Sequence, residues 1–268
     1  MGASTMVVRR MVLFALVFLA IAAVTALGAA ADEDHDDWTI IGSEVHSDEV
    51  ITVSGQLSID LGGSLHLSSC ELRFTGGSPE DIRIQVRSGS LILDGLTTVI
   101  MENSGRMVMQ GHMDIRGTVN FKHVDILVHS RGTLAVRGAA LTLEGSWSTQ
   151  SVNDPLMLTV EGGAYFAAST VNLVYAFVVS KGSMTIAESS VEASRDWGKE
   201  YDGLKERLRF EQGVATLTDS TFSDLFNGIM SRADLYASDC TFNRSDLRSF
   251  APTWQPSLKA HVRQCEFI

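Results

Sequence analysis

Gly63-Ser64-Leu65-His66-Leu67-Ser68-Ser69-Cys70-Glu71-Leu72 sets out a phrase that the chain then repeats. It reads glycine, small or polar, apolar, x, apolar, two small or polar residues, serine or cysteine, x, apolar. It returns as Gly182-Ser183-Met184-Thr185-Ile186-Ala187-Glu188-Ser189-Ser190-Val191 and as Gly213-Val214-Ala215-Thr216-Leu217-Thr218-Asp219-Ser220-Thr221-Phe222. Two later copies, Leu235 to Phe242 and Ala260 to Phe267, lack the leading glycine, and Gly132 to Leu141 and Gly163 to Val171 are looser versions. The serine or cysteine position runs Cys70, Ser169, Ser189, Ser220, Cys240, Cys265, the last five separated by 20, 31, 20 and 25 residues. Unequal spacing of a constant phrase suits a solenoid whose coils carry loop insertions.

Inside each copy the apolar residues alternate, which is strand and not helix periodicity. Strands this short cannot bury an apolar face alone. Stacked at about 4.8 Å, successive coils bury one continuous core. A β-sandwich does not need one phrase in so many copies, and a propeller blade needs a period of about 40 residues or more. The sequence therefore predicts an all-β chain, a right-handed parallel β-helix with three-faced rungs. Leu65, Leu67, Leu91, Leu93, Leu134, Val136, Met184, Ile186 and Leu217 are the expected core. Beyond the N-terminus only the charged stretch Asp202 to Phe210 has helical character.

The phrases "GSLHLSSCELRF" (63–74), "GSLILDGLTTVIM" (89–101) and "GVATLTDSTF" (213–222) resemble the repeats of the pectin-lyase-like β-helix superfamily. The stretch Val50 to Phe74 is similar to cell-surface β-helix proteins of archaea and bacteria. The resemblance spans roughly Val45 to Ile268 and is structural in content. It implies one of several roles: polysaccharide lyase or hydrolase, epimerase, adhesin or envelope component. The hydrolase members carry Asn-Thr-Asp, Asp-Asp, Gly-His-Gly and Arg-Ile-Lys in separate coils. Here Gly111-His112-Met113 and Arg83-Ile84-Gln85 fail at the deciding position, and Asp36-Asp37 is expected outside the coils.

The N-terminus reads as a targeting segment. Arg9 and Arg10 precede the uncharged apolar run Met11 to Gly28, and Ala29-Ala30-Ala31 ends sharply at Asp32. That order is a secretory signal over residues 1–31; the length of the run keeps an uncleaved membrane anchor as the alternative. Residues 32–44, rich in aspartate and glutamate, are expected to be a solvated spacer before a solenoid spanning 45–268. Gln264-Cys265-Glu266-Phe267-Ile268 stops inside a repeat, as in a fragment or a coil continued by another subunit. The whole chain has 21 basic against 32 acidic residues and no basic stripe with interleaved aromatics, which argues against nucleic-acid binding.

No catalytic constellation stands out. There is no Gly-x-Ser-x-Gly elbow, no CxxC, and no pair of carboxylates placed for glycoside hydrolysis. Asp94, Asp114, Asp125, His66, His112, His123 and His129 are read as outward or turn residues, and the serine/cysteine column as a ladder of small residues at a tight bend. Neither a cofactor nor a metal is implied. Cys240 and Cys265 are a candidate disulfide between stacked coils, with Cys70 left free, and Asn243-Arg244-Ser245 is a candidate glycosylation sequon.

Binding on a solenoid usually sits in loops that leave the coil. Three insertions are expected, Ser146 to Pro155, Ser194 to Phe210 and Ser245 to Ser257, carrying Trp147, Trp197 with Tyr201, and Trp254. Trp147 and Trp197 fall at equal offsets from Ala139 and Ser189 of the aligned column, which predicts one shared corner. Their rings, with Arg195 and Asp196 beside them, are the candidate glycan contacts. Two functions follow as expectations. One is a non-catalytic exported or cell-surface protein with a structural, adhesive or glycan-binding role, its partners surface glycans or envelope proteins. The other is a carbohydrate-active enzyme with a groove beside the tryptophan loops. Membrane contact would come only through residues 11–31.

Overall fold

Alternation places the apolar residue of each pair inward, and short strands stack on it in parallel. The computed structural model describes residues 32–145, 156–193, 208–225, 229–249 and 259–268. One face is a ten-stranded parallel sheet that includes Ser64–Ser68, Ser90–Asp94, His112–Ile115, Gly163–Ala167 and Asp234–Ser238. The second face carries strands such as Glu71–Phe74 and Ala140–Glu144, and the third carries Ile82–Val86 and Leu156–Val160. The last two faces merge into one 19-stranded sheet because Leu96–Met109 and Thr118–Val128 run unbroken around their common corner. On every face a residue pairs with its counterpart one coil later: Leu65 with Leu91, Leu141 with Val171, Leu158 with Val178. The fold is a three-faced parallel β-solenoid.

All nine expected core residues are 2 % exposed or less. Like stacks on like. Buried Phe222 and Phe242 and the exposed Phe267 of the last coil form a ladder with ring centroids 5.2 and 4.9 Å apart.

The corner from the first face to the second is the most regular part of the chain. Two residues separate the strands there, as in Ser68 to Glu71, Ala187 to Ser190 and Ser238 to Thr241. The first of the two is left-handed: Asp48, Ser69, Ala168, Glu188, Asp219, Asp239 and Gln264 have φ between 48° and 56°. That conformation costs roughly 1–2 kcal/mol in a residue with a Cβ. The backbone recovers part of it, since the Glu188 N–H donates to Thr218 O of the next coil at 3.0 Å. The second residue is the serine or cysteine of the repeat. Ser189 Oγ donates to Ala187 O at 2.7 Å and accepts the Ser169 N–H at 3.1 Å, while the Ser189 N–H donates to Ser220 Oγ at 3.1 Å. A left-handed turn leaves that buried N–H without a strand partner, and the hydroxyl of the next coil supplies one.

At the corner leading back to the first face, glycines stack. A Cβ on Gly182 would lie 2.0 Å from Gly162 O, and one on Gly162 would lie 2.2 Å from Gly132 O. The leading glycine of the repeat is therefore a requirement of close coil approach, to which Gly213 adds a left-handed φ of 80°.

Two expectations are corrected. Residues 32–44 are not a spacer. Asp32–His35, Trp38–Ile40 and Ser43–Ser47 are strands of the first coil, with Trp38 paired to Leu57 and Ser43 to Ser64. Buried Trp38 and Ile40 anchor this coil, and its acids cap turns: Asp37 Oδ1 accepts the Gln56 N–H at 2.8 Å and Asp36 Oδ1 the Ser54 hydroxyl at 2.9 Å. The helical reading of Asp202 to Phe210 fails where it is described, because Leu208–Phe210 is a third-face strand between Ala176–Ser180 and Ile229–Ser231. Leu208 and Phe210 alternate inward like every other pair, and the neighbouring coils impose the strand.

Candidate functional site on the outer face of the first sheet

The first sheet turns every second residue outward. Its central outward column runs Val45, His66, Ile92, Asp114, Ala135, Tyr165, Thr185, Thr216, Tyr236, His261. The two ends of this column differ in chemistry.

Toward the N-terminus it is charged. His66, Asp94 and Asp114 do face outward, as the sequence predicts, but Asp114 is only 3 % exposed. Arg116 folds over it, with Nε and Nη2 both donating to Oδ2 at 2.8 and 2.6 Å, while Oδ1 has no hydrogen-bond partner. His66 Nε2 lies 3.9 Å from Asp94 Oδ2 of the neighbouring coil and is also buried without a hydrogen bond. His112 sits one residue from Met113 at the strand start, its Nδ1 2.7 Å from Thr133 Oγ1. His123 occupies a left-handed corner position with φ 59°, and Asp125 Oδ1 accepts the Met157 N–H at 2.8 Å. The last two stand on other faces and add nothing to this cluster.

Toward the C-terminus the column is aromatic and hydroxylic. Tyr165 and Tyr236 are 43 % and 38 % exposed, with Thr185 and Thr216 between them. Tyr236 stacks on His261, ring centroids 5.2 Å apart and planes within 5°. Three coil steps separate the tyrosines, roughly 14 Å at the strand spacing. This platform escaped the sequence reading, which looked for function in loops. The signal was present in the outward position of two repeat copies, Ala164-Tyr165-Phe166 and Leu235-Tyr236-Ala237.

Trp147, Arg195, Asp196, Trp197, Tyr201 and Trp254 lie outside the described residues. The strands that bracket them are described. Ala140–Glu144 and Leu156–Val160 bracket Trp147, and Ser190–Ala193 and Leu208–Phe210 bracket Trp197, in each case second face to third. Leu247–Ser249 and Ala260–Arg263 bracket Trp254, third face to first.

Cys240 and Cys265 occupy adjacent coils, since Thr241 pairs with Glu266, and both thiols are free. Burial pushes the Cys240 thiol up to about 11, backbone contacts opposing it, and the neighbouring Cys265 adds to the rise. Cys70 is far from both in coil order and is also raised, by burial first. Each thiol donates to the carbonyl two residues back, Cys240 Sγ to Ser238 O at 3.2 Å and Cys70 Sγ to Ser68 O at 3.4 Å, as the serines of the column do. In the sequon, Ser245 is buried, its hydroxyl donating to Asn243 O at 3.2 Å and accepting the Leu225 N–H at 3.0 Å.

A scan against protein-family models finds no match, and neither the curated proteins nor the solved structures yield a similar chain.

Proposed function

We propose that the chain is a non-catalytic exported or cell-surface β-solenoid, right-handed and of the pectin-lyase-like kind, whose first sheet binds an extended glycan on its outer face. The observation that carries this reading is the column Tyr165, Thr185, Thr216, Tyr236, His261, with both tyrosines exposed at a fixed separation. The apolar C–H faces of sugar rings stack on aromatic rings, and threonine hydroxyls between them match sugar hydroxyls as donors and acceptors. Right-handed connection is the rule for parallel strands joined by a crossover. Export rests on the apolar run Met11 to Gly28 and the Ala29-Ala30-Ala31 boundary. Envelope glycans are the partner class that suits such a location.

Affinity electrophoresis against a panel of soluble polysaccharides tests the reading. At least one glycan should retard the protein, and Tyr165→Ala with Tyr236→Ala should weaken that retention about tenfold or more, a stacked ring being worth about 0.5–1.5 kcal/mol. Retention that survives the double variant refutes the platform.

A carbohydrate-active enzyme is the second reading. Asp94 and Asp114 share one outer face with His66 and Arg116, and paired carboxylates are the machinery of glycoside cleavage. Release of reducing ends or unsaturated products, lost in Asp114→Asn, would favour it over binding alone.

A further inference from the structure

The first coil breaks the rule that every later coil keeps. Register places Glu44 and His46 at the inward positions held by Leu65 and Leu67 in the next coil, and leaves Val45 facing out at 67 % exposure. Glu49 precedes Val50, which pairs with Glu71, so Glu49 stands in the column of Cys70. Glu33 and His35 are the half-buried, alternate residues of Asp32–His35. Five donor side chains thus replace the apolar ladder at this end of the solenoid.

They converge on His46. Its Nδ1 is 2.8 Å from Glu49 Oε2 and 3.3 Å from Glu33 Oε2. One ligand atom each from Glu33, His46 and Glu49 lie within 4.8 Å of one another. With bonds of about 2.0–2.1 Å, two donors of a tetrahedral zinc site stand about 3.3 Å apart; the His46–Glu33 separation matches that edge, while the shorter His46–Glu49 contact is a hydrogen bond that would open by about half an ångström as an ion replaced its proton. The other ring nitrogen, Nε2, is 3.7 Å from Glu44 Oε2, an oxygen that also accepts the Trp38 indole N–H at 3.2 Å. A metal-bound imidazole commonly turns its second nitrogen to such a carboxylate. His35 stacks flat on Trp38 at 4.4 Å, and its buried Nε2, with no hydrogen bond, lies 3.3 Å from the other oxygen of Glu33. Trp38 also meets the edge of His46 at 5.3 Å, forming an apolar wall.

Charge argues the same way. Three carboxylates surround one imidazole, and no lysine or arginine occurs between Asp32 and Glu49. An imidazolium alone would leave the cluster negative. A divalent ion beside a neutral imidazole offsets two of the three carboxylates, one more than an imidazolium does. Mixed imidazole and carboxylate donors select zinc-class transition metals over calcium or magnesium, which take oxygen ligands.

We propose that the first coil is closed by a divalent zinc-class ion held on Glu33, His46 and Glu49, with Glu44 orienting His46 from behind. The ion would fasten Asp32–His35 to Ser43–Ser47 and the corner after it.

The test uses the full chain stripped with chelator and titrated with Co²⁺. A saturable visible absorption of a four-coordinate ion, displaced by Zn²⁺, is expected. Glu49→Gln and His46→Gln should each raise the apparent Kd at least about 100-fold, because each removes one of three protein ligands. His112→Gln, a histidine outside the cluster, should leave it unchanged. Zn²⁺ at 100 times its Kd should raise the parent's Tm by at least about 5 °C. If His46→Gln does not fold, Glu49→Gln, nearly identical in shape, decides alone. A parent with native circular dichroism and no saturable Co²⁺ spectrum overturns the proposal and leaves the cluster a polar end cap. A spectrum that persists in Glu49→Gln overturns it as well.

Discussion

Replacing Ser189 by alanine tests the hydroxyl ladder at its centre. Ser189 is buried, and its oxygen makes two hydrogen bonds, donating to Ala187 O at 2.7 Å and accepting the Ser169 N–H at 3.1 Å. Each is worth about 1 kcal/mol net, and a buried N–H left without a partner costs about 1–3 kcal/mol. The Ser169 N–H is buried and has no strand carbonyl to turn to, because the left-handed residue before it has taken the chain off the sheet. Ser189→Ala should therefore cost about 2–3 kcal/mol, read as a lower urea midpoint at unchanged slope. Ser189→Cys should cost clearly less, since Cys70 and Cys240 stand in the same column and make the same bond to the carbonyl two residues back. An alanine variant within about 0.5 kcal/mol of the parent, the scatter of ordinary surface changes, refutes the argument. So does a cysteine variant weaker than the alanine one.

Leu67→Asp should lower stability by several kcal/mol by burying an unpaired charge, whereas Val45→Asp, outward on the adjacent coil, should change the urea midpoint little; equal effects would refute the register. In reduced protein, iodoacetamide should label Cys240 slowly at pH 8, read by peptide mass spectrometry, because its thiol is held near 11. The same shift stabilises the fold in full below the ordinary thiol value of 9.0, and that contribution should fade as pH climbs from there to about 11. Non-reduced peptide mapping of exported protein should show Cys70 unlinked; a bond from it to Cys240 or Cys265 within one chain would contradict the coil order. Trp147→Ala with Trp197→Ala should leave glycan retention near parental if the outer face of the first sheet binds, and should abolish it if the tryptophan corner does.

The parts of the fold that could be read from sequence are those with constant length. Two residues at the first corner keep Leu67, Cys70 and Leu72 in phase with Ile186, Ser189 and Val191, so the phrase repeats in view. Thr97 belongs to the same column, its Oγ1 donating to Asp94 O at 2.6 Å and accepting the Cys70 N–H at 3.4 Å. It was missed because Leu96 adds one residue at that corner and pushes the phrase out of step. The first coil was misread for a different reason. Glu44 and His46 hold inward positions, so the apolar alternation that marks a strand is inverted there, and only the neighbouring coil reveals the pairing. Tyr165 and Tyr236 were visible as residues but not as neighbours in a column, because the insertion between Ser190–Ala193 and Leu208–Phe210 hides their register.

The unequal corners divide the chain into an inflexible seam and a permissive one. A longer serine corner must keep each buried N–H on its hydroxyl, and the one extra residue it takes, Leu96, is 64 % exposed while Thr97 still receives the Cys70 N–H and Thr98 pairs with Glu71. Between the second and third faces the connection ranges from the single residue His123 within Thr118–Val128 to 14 residues between Ala193 and Leu208, and strand pairing resumes beyond it both times. Insertions and deletions should therefore collect mainly along that edge, with the connection between Ser249 and Ala260 showing that the corner back to the first face also admits one. New surface chemistry can be tried there one coil at a time while the rest of the prism keeps its address system, which also makes it the edge on which to graft a tag, an epitope or a foreign binding loop.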